Sequence, residues 1–464
     1  MTDGLAGVTS ELDACAASFV KRHRLPGATV GVVHGDSLAW TCGVGFADLP
    51  ERRASATDHL YFVASVTKTF TGTAVMQLRD AGRLGLDDPA VAHLPELRQA
   101  DSPFGNIETV TIRRMLSHES GLVSESPGTD LAGSVYQGVA RETLQRAEDI
   151  GVKVAPNLQW KYSNLAYQLL GEIVTRVSGR PYADYVRKEI LEPLGMGSTR
   201  FDPLPRDLAG RRATGYAART FSDELEVAPT MGPVWAEAGL WSSVEDLARW
   251  VSFQLGAHGG SGTSPVLAAS TLRDMHKPRY LADDGWNVAW GITWFAVRRD
   301  DVIWIQHSGG WHGFSSDICF DPVSGVGAIA LVNGVVAAEE LAMEAAAIAR
   351  RAVNAAAPVI EPPAPTPEPF RPLLGIYAEA ALGSFLRLEW RDGKLTFVDP
   401  AAPGSCPTLS PTDDPDVFLI DPGVRQSGET AIFRRRADGR VASVLFASTT
   451  HLRLDAVDPC RAGS

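Results

Sequence analysis

The chain has 464 residues, a formal net charge of -12 and 45% hydrophobic residues, which is the composition of an ordinary globular protein with room for two domains. The acidic balance and the lack of a Lys/Arg stripe argue against a nucleic-acid partner. No apolar segment has the form of a secretory signal or the length of a membrane span, so we expect a cytoplasmic protein with no membrane partner.

Cysteine and histidine usage argues against a metal centre. The five cysteines are scattered, odd in number and never form a Cys-x-x-Cys pair, which is typical of reduced thiols in the cytosol. The ten histidines form no His-Glu-x-x-His motif and no cluster. The sequence therefore predicts neither a metal site nor a cofactor.

The first predicted elements are two strands and a helix. Residues 28–45 predict two β-strands joined by a turn at Gly35. From Thr67 the apolar residues recur at helical spacing, and Gly82 is a natural stop for that helix. The region 109–260 then alternates helical segments with Gly/Pro turns. Strands and helices are therefore mixed in this part of the chain.

A single sheet, a helix and a linker follow. Residues 290–334 predict successive strands of one antiparallel sheet, and the alanine-rich stretch 339–357 predicts a helix. Six prolines within 358–369 cannot sustain a helix or a central strand. This segment is interpreted as a stiff linker that separates a domain at 1–357 from a second domain at 370–464.

The predicted second domain is all β. Short strands alternate there with turn signals such as Asp392-Gly393 and Asp438-Gly439. This spacing is typical of a small antiparallel barrel or sandwich.

The stretch FVASVTKTF, residues 62–70, holds the first candidate for chemistry. Ser65 and Lys68 stand three positions apart, which places their side chains together on one helical face. Near a helix start the Ser65 backbone N–H suits an oxyanion, and a partly buried Lys68 would lose its charge and act as a base. The alternative is a solvated lysine on a helix flank, because a Ser-x-x-Lys tetrapeptide arises readily by chance.

The segment WKYSNLAYQLLG, residues 160–171, offers a second element. Tyr162 beside a cation can have a lowered pKa and serve as a general base, and Asn164 can hold a substrate carbonyl. The alternative is a packed tyrosine followed by an asparagine that caps the helix beginning near Leu165.

A third element ends an apolar strand in IWIQHSGGWHGFSS, residues 303–316. After His307, the glycines Gly309 and Gly310 let the backbone approach a substrate closely, and the Gly310 N–H can supply a second oxyanion donor. A lone histidine at a strand end is more often structural. Only its place beside the glycine pair and after the other two motifs favours catalysis.

In this order, Ser-x-x-Lys, Tyr-x-Asn and His-x-Gly resemble the motifs of the serine β-lactamase and penicillin-binding-protein superfamily, and best fit its branch of class C β-lactamases, D-stereospecific peptidases and esterases. MLSHESGL (115–122) and AEAGLWSSVEDLARW (236–250) also resemble that branch. The resemblance implies an α+β catalytic domain of β-lactamase/transpeptidase type, with an antiparallel sheet flanked by helices and a helical subdomain. The C-terminal domain resembles a lipocalin-like barrel.

The resemblance implies a catalytic role for four residues. Ser65 would be acylated, and Lys68 and Tyr162 would carry protons. His307 would take the electropositive place that a lysine holds in true β-lactamases. Because histidine is mostly neutral at pH 7, it grips a carboxylate less firmly, and efficient β-lactam hydrolysis is not expected.

The resemblance also implies residues that bind the substrate. The backbone N–H groups of Ser65 and Gly310 would form the oxyanion hole, with Gly309 beside them. Asn164 would bind the substrate amide.

Three further residues are candidates for substrate contact. Trp241 and Trp311 follow bends near the motifs and suit a large, partly apolar substrate, although packing against the β-domain is an equal alternative. Arg453 points opposite to its flanking leucines on a predicted strand, so it could bind a carboxylate at the cleft, with residues 434–436, all arginines, as the alternatives. The β-domain would then be a lid, and the alternative is a stabilising cap.

The predicted location narrows the function. Without an export signal, a cell-wall peptidase or a β-lactamase is not expected. The two-domain layout resembles the penicillin-binding-protein-type thioesterases of nonribosomal peptide biosynthesis, which close a D-ended peptidyl thioester into a macrolactam. We therefore expect head-to-tail macrocyclisation of a peptide presented by a carrier protein of a peptide synthetase. The alternatives are hydrolysis by a D-stereospecific aminopeptidase, amidase or esterase, and a non-catalytic binding protein.

Overall fold

The computed structural model describes two units, each with its own hydrophobic core. The units are Met1–Ala357 and Pro358–Ser464. The described residues are 3–127, 140–218, 225–227, 236–259, 264–355, 365–379, 384–391, 393–398 and 406–454. Within them, no helix combines the length and the apolar character needed to cross a membrane.

One large antiparallel sheet organises the N-terminal unit. The described strands of this unit are β1 (Gly27–His34), β2 (Ser37–Asp48), β3 (Arg53–Ala54), β4 (Tyr61–Phe62), β5 (Arg200–Phe201), β6 (Tyr216–Ala218), β7 (Leu225–Val227), β8 (Leu240–Ser242), β9 (Tyr280–Leu281), β10 (Val288–Trp290), β11 (Phe295–Arg299), β12 (Val302–Trp311), β13 (Phe314–Asp321) and β14 (Val326–Val332). The large sheet has nine strands in the order β3-β2-β1-β14-β13-β12-β11-β10-β9. The predicted hairpin and the predicted sheet near the end of this unit are confirmed.

Helices cover both faces of this sheet. The described α-helices are α1 (Asp3–Ala6), α2 (Thr9–Arg22), α3 (Thr67–Asp80), α4 (Ala90–His93), α5 (Ile112–Leu116), α6 (Ala140–Leu144), α7 (Asn164–Ser178), α8 (Tyr182–Val186), α9 (Arg206–Ala209), α10 (Val244–Gly259), α11 (Ala269–His276) and α12 (Ala338–Ala355). Alternate β1 side chains such as Val30 pack with α2 and α12. On the opposite face, a Cβ at Gly31 would lie only 2.4 Å from Val244 of α10. The α+β class is confirmed.

Helix α3 lies in the core of the N-terminal unit, which explains its apolar sequence. Phe62 and Phe70 are buried, and the Phe70 ring stacks on Trp250 with 4.0 Å between the ring centroids. The helix ends at Asp80, and Gly82 follows with a φ of 67°, a conformation that glycine adopts without strain. The helix predicted from Thr67 is confirmed, and its first turn is fixed within a packed core.

The C-terminal unit is a closed antiparallel barrel. Its strands are β15 (Gly375–Glu379), β16 (Ser384–Arg391), β17 (Lys394–Val398), β18 (Thr408–Pro411), β19 (Val417–Ile420), β20 (Thr430–Arg435), β21 (Val441–Phe446) and β22 (Thr449–Arg453). Buried side chains including Tyr377, Phe397 and Phe433 fill the interior, as expected for an eight-stranded barrel. Of the two architectures predicted for this domain, the barrel is confirmed and the sandwich is not. Strand β18 was not predicted, because it is short and ends in a proline.

Cysteines and potential metal ligands are dispersed in the described residues. Cys15, Cys42, Cys319 and Cys406 form no disulfide bond among the described residues. In the same part of the chain, no group of three or more His, Cys, Asp or Glu side chains is arranged to hold a metal ion.

Candidate active site

Ser65 lies in a single 3-10 turn, Ala64–Val66, directly before α3. Ala64 has a φ of 45°, a conformation that is uncommon for a residue with a side chain and is often found at functional sites. The turn is held from the sheet, because the Ser316 hydroxyl of β13 donates to the Val63 carbonyl at 2.8 Å. The sheet therefore fixes the position of the Ser65 backbone.

Lys68 is fully buried beside Ser65. The distance between Lys68 Nζ and Ser65 Oγ is 3.0 Å, and Nζ also donates to the Glu237 carbonyl at 2.8 Å. The rings of Tyr162 and Tyr167 lie 5.0 and 5.6 Å from Nζ. The structure thus excludes a solvated lysine on a helix flank.

Burial sets the charge state of Lys68. It lowers the pKa of the ammonium to about 7, while the negative charges of Glu237 and Glu125 act in the opposite direction. A substantial fraction of Lys68 is then neutral at pH 7. The neutral amine is positioned to accept the proton of the Ser65 hydroxyl.

Tyr162 lies in the loop before α7, where its ring is 5.0 Å from Lys68 Nζ and its hydroxyl is near the Ser65 side chain. Burial raises the pKa of this phenol, and the nearby Glu125 and Glu237 raise it further. This is opposite to the lowered pKa expected from the sequence, because the loss of solvation outweighs the lowering effect of the Ser65 side chain. Tyr162 is therefore a neutral phenol that can donate a proton, and a phenolate base is not supported.

Asn164 is the first residue of α7. Its side-chain amide donates to Glu125 at 2.7 Å, whereas its Oδ1 atom is buried and has no hydrogen-bond partner in the described structure. The helix cap is Ser163, whose hydroxyl accepts from the Ala166 N–H at 3.0 Å. Asn164 is therefore not the cap, and its free carbonyl oxygen is available to an amide N–H of a substrate.

His307 lies in β12 and is almost completely buried. Its Nδ1 atom lies 2.7 Å from the Ser308 carbonyl, so the neutral ring donates from Nδ1 and keeps an acceptor at Nε2. Burial, followed by the charge of Lys68, lowers the pKa of His307 to about 3. The electropositive role expected from the sequence is therefore wrong for this residue, which is neutral at physiological pH.

The two glycines after Ser308 differ in what surrounds them. A Cβ at Gly309 would lie 2.3 Å from the Val63 carbonyl and 2.9 Å from the Ser65 nitrogen, so a side chain there would push β12 away from the nucleophile turn. A Cβ at Gly310 would meet no atom within 4 Å. Close approach therefore explains Gly309, while Gly310 borders open space. The oxyanion role of the Gly310 N–H stays a prediction.

The end of β12 has one unpaired edge among the described strands. Pairing with β11 stops at Gln306, whereas pairing with β13 continues to Trp311. Residues 307–311 therefore present backbone groups that an extended substrate can pair with.

Trp241 is a core residue. It is 1% exposed, its ring packs at 5.5 Å from Phe62 and 5.3 Å from Phe314, and its indole N–H donates to Asp202 at 3.0 Å. The structure therefore places Trp241 beneath the site and does not support the predicted substrate contact.

Trp311 and Arg453 are the remaining candidates for substrate contact. Trp311 is partly exposed at the end of β12. Arg453 donates to the carbonyls of Pro372 and Leu374 at 2.5 and 2.8 Å, so these contacts join β22 to the start of the barrel. They support a structural role for Arg453, and its contact with a substrate stays a prediction.

Several residues of the site were not identified from the sequence, among them Glu237, His118 and Glu125. Glu237 provides the carbonyl that binds Lys68, and its carboxylate accepts from Gln168 at 2.7 Å. His118 packs on Tyr162 with 4.2 Å between the ring centroids. Glu237 and His118 both lie in stretches that resemble the β-lactamase and penicillin-binding-protein branch. For Glu237 the available signal was a charged residue between two alanines.

Comparisons with known proteins agree with this geometry. A family model described as Beta-lactamase matches residues 12–353. The chain is 31% identical over 375 residues to penicillin-binding protein 4 of Amycolatopsis lactamdurans, covering 76% of this chain and 93% of that protein. It is 27% identical over 329 residues to Protein flp of Staphylococcus aureus (strain COL), covering 70% of this chain and only 62% of that relative's length.

A solved structure shows the same fold. The D-stereospecific amidohydrolase from Streptomyces sp. superimposes with a TM-score of 0.60 at 24% identity, covering 72% of this chain and 98% of that one. At this identity the similarity concerns the fold alone.

Proposed function

Because the chain belongs to the beta-lactamase family of serine hydrolases and acyltransferases, we propose that it forms an acyl-Ser65 enzyme on a peptidyl thioester, ester or amide that ends in a D-configured residue. An amine at the other end of the peptide then attacks, which gives a head-to-tail lactam. The 3.0 Å contact between Ser65 Oγ and the buried Lys68 Nζ is the observation that carries the acyl-enzyme step.

The first step forms the acyl-enzyme. Neutral Lys68 takes the proton of Ser65 as Oγ attacks the acyl carbon, and the N–H groups of Ser65 and Gly310 stabilise the oxyanion. The bond to the leaving group then breaks, and the Tyr162 phenol gives that group its proton. Lys68 returns a proton to Tyr162, so the net transfer is from Ser65 to the leaving group.

The second step releases the product. The peptide amine attacks the acyl carbon, and the same groups move the amine proton to Ser65 Oγ as the ester bond breaks. The site is then restored without any change in the charges of Lys68 and Tyr162. If water takes the place of the amine, the same proton path yields a linear acid.

The neutral state of His307 supports an acyl group without a free carboxylate. A lysine in this place would attract a substrate carboxylate, whereas a neutral imidazole supplies no positive charge. The carboxyl of a peptidyl thioester is already esterified and needs no such charge. The preference for a D-configured residue rests on the resemblance to thioesterases with the same two-domain layout.

Hydrolysis of the same acyl-enzyme is the second candidate. Ser65 and Tyr162 are both partly exposed, so water can reach the acyl carbon. A solved structure of similar fold is named as an amidohydrolase. A D-stereospecific amidase or esterase would therefore use the same residues.

The test compares two peptidyl thioesters that differ only in the configuration of the last residue. Products are identified by mass spectrometry, with Ser65→Ala as the control. We expect cyclic product from the D-ended thioester alone and none from Ser65→Ala. Linear acid alone would favour hydrolysis, and equal turnover of both thioesters would contradict the D preference. Unchanged turnover by Ser65→Ala would contradict both candidates.

A further inference from the structure

His118 occupies an unusual position between α5 and the loop that carries Tyr162. It is fully buried two residues after α5 and has a φ of 59°, in the left-handed region. Its conformation is therefore uncommon for a non-glycine residue and is maintained by its surroundings.

Three contacts join His118 to Tyr162 and to both of its neighbours in the chain. The His118 carbonyl accepts from the Lys161 N–H at 2.7 Å, and its Nδ1 atom accepts from the Ser163 N–H at 3.1 Å. Its ring lies 4.2 Å from the Tyr162 ring with 33° between the ring planes. One residue thus holds the backbone on each side of Tyr162 and the face of the phenol.

His118 is itself held from behind. The rings of Trp290 and Tyr167 pack against it at 4.6 and 5.1 Å between centroids. Both side chains donate to the carbonyl of Leu116, at 3.0 and 2.7 Å. These bonds fix the pocket around the imidazole, so a displacement of Tyr162 would require several packed rings to move.

The hydrogen bonds also define the form of the imidazole. Only an unprotonated ring nitrogen can accept a hydrogen bond from a backbone N–H. Because Nδ1 accepts from the Ser163 N–H, it carries no proton, and the ring is the neutral Nε2–H tautomer. A leucine at this position would leave the Ser163 N–H buried without an acceptor.

The geometry points to His118 as the positioning residue of Tyr162, which holds the phenol against Ser65 while the proton passes to the leaving group. This inference rests on the proposed acyl-Ser65 chemistry. Tyr162 lies in a loop, so no regular secondary structure fixes its backbone. Among the described contacts, His118 packs directly on the Tyr162 ring, whereas its contact with Tyr167 leads to Lys68.

The test uses a pair of variants with the same branching at Cγ. His118→Asn keeps an acceptor at the position of Nδ1 and tolerates a positive φ, whereas His118→Leu removes the acceptor. Turnover is measured with an alkyl ester of an N-acylated D-amino acid, because its alkoxide leaving group must be protonated. We expect kcat of His118→Leu to fall by about 10- to 100-fold with KM unchanged, since a small displacement of a catalytic group is costly. His118→Asn should retain most of the rate.

A double-mutant cycle with Tyr162→Phe separates positioning from general structural damage. If His118 acts through Tyr162, adding His118→Leu to Tyr162→Phe should lower kcat by less than about twofold. If His118→Leu lowers kcat in the Tyr162→Phe background as much as in the wild type, His118 acts independently of Tyr162 and the inference is overturned. Wild-type turnover in His118→Leu, or an equal loss of kcat in the Asn and Leu variants, would also overturn it.

Two controls keep the outcome clear. Melting temperatures establish that the variants fold, and His118→Gln, whose acceptor lies farther from the backbone, replaces His118→Leu in the cycle if the latter does not fold. A fluorophosphonate label on wild-type Ser65 tests the acyl-enzyme separately. If Ser65 is not labelled, the proposed function and this inference are both overturned. If Ser65 is labelled but the effects of the two substitutions on kcat are additive, only the inference is overturned.

Discussion

Helix α3 carries Lys68 and strand β12 carries His307, and these two buried basic side chains differ in their electrostatic surroundings. Lys68 has Glu237 and Glu125 nearby, and their negative charges keep its pKa at about 7 despite burial. His307 has the cation Lys68 nearby, which lowers its pKa further, to about 3. Burial alone lowers the pKa of a basic side chain too far for it to change its charge near neutral pH. Nearby negative charges limit that lowering for Lys68.

This difference assigns distinct tasks to the two sides of Ser65. The Lys68 amine changes its charge near neutral pH, so it can perform proton transfer. The His307 imidazole stays neutral, and its strand β12 supplies the close approach at Gly309 and the unpaired edge. The experiments below can break this division or refine it.

Removal of the lysine should have the largest effect. In Lys68→Met the side chain keeps its length and apolar stem but has no amine to accept the Ser65 proton. We expect kcat/KM for ester turnover to fall by about 10²- to 10⁴-fold, the range for loss of a general base. Lys153→Met, which removes an exposed lysine paired with Asp101, is the matched control and should be unaffected. A loss of less than tenfold in Lys68→Met would break the comparison.

The pH dependence should follow Lys68. Only the neutral amine accepts a proton, so kcat/KM should rise with pH through a midpoint near 7 and level off above it. His307 is neutral on both sides of that midpoint, so His307→Gln should leave the midpoint in place. A midpoint that moves by more than about one unit in His307→Gln would show that the histidine titrates with the reaction.

The carboxylates near Lys68 offer a smaller and signed test. Glu237 raises the pKa of Lys68, so Glu237→Gln should move the midpoint of the pH profile to lower pH while the acceptor for Gln168 is retained. Glu125→Gln should move it in the same direction by less. Profiles of kcat/KM measured for both variants check the order, and a midpoint displaced to higher pH would contradict the assignment.

The unfolding free energy should also report the state of His307. The pKa of His307 is near 6.5 in the unfolded chain and about 3 in the folded protein, so below pH 6.5 the unfolded state binds more protons. The unfolding free energy therefore decreases as the pH is lowered from about 6.5 towards 3. Between pH 7 and 5, the wild type should lose about 2 kcal/mol more than His307→Gln in urea unfolding. Equal losses would mean that His307 is protonated in the folded protein.

Local patterns predicted much of the fold. The spacing of Ser65 and Lys68 placed them on one helical face, and their contact is the 3.0 Å pair of the structure. Strand alternation and turn signals predicted the β1–β2 hairpin and the barrel strands except β18. These features depend on residues close in sequence, so a local sequence pattern is enough to predict them.

Contacts between distant residues could not be predicted in the same way. The Glu237 carbonyl accepts from Lys68 although the two residues are 169 positions apart, and no sequence motif predicts this contact. Trp241 follows a bend, but the sequence does not show on which side of that bend the core lies. The charges of Tyr162 and His307 depend on burial, and burial follows from the packing of many separate segments.

The most direct test of the central claim is the mass of the protein after reaction with a slowly released acyl donor. We predict a single acyl group per chain, located on Ser65 by peptide mapping, with none bound to Ser65→Ala and slow formation in Lys68→Met. An acyl group on another residue, or turnover without any acylated protein in the wild type and in slow variants alike, would contradict it.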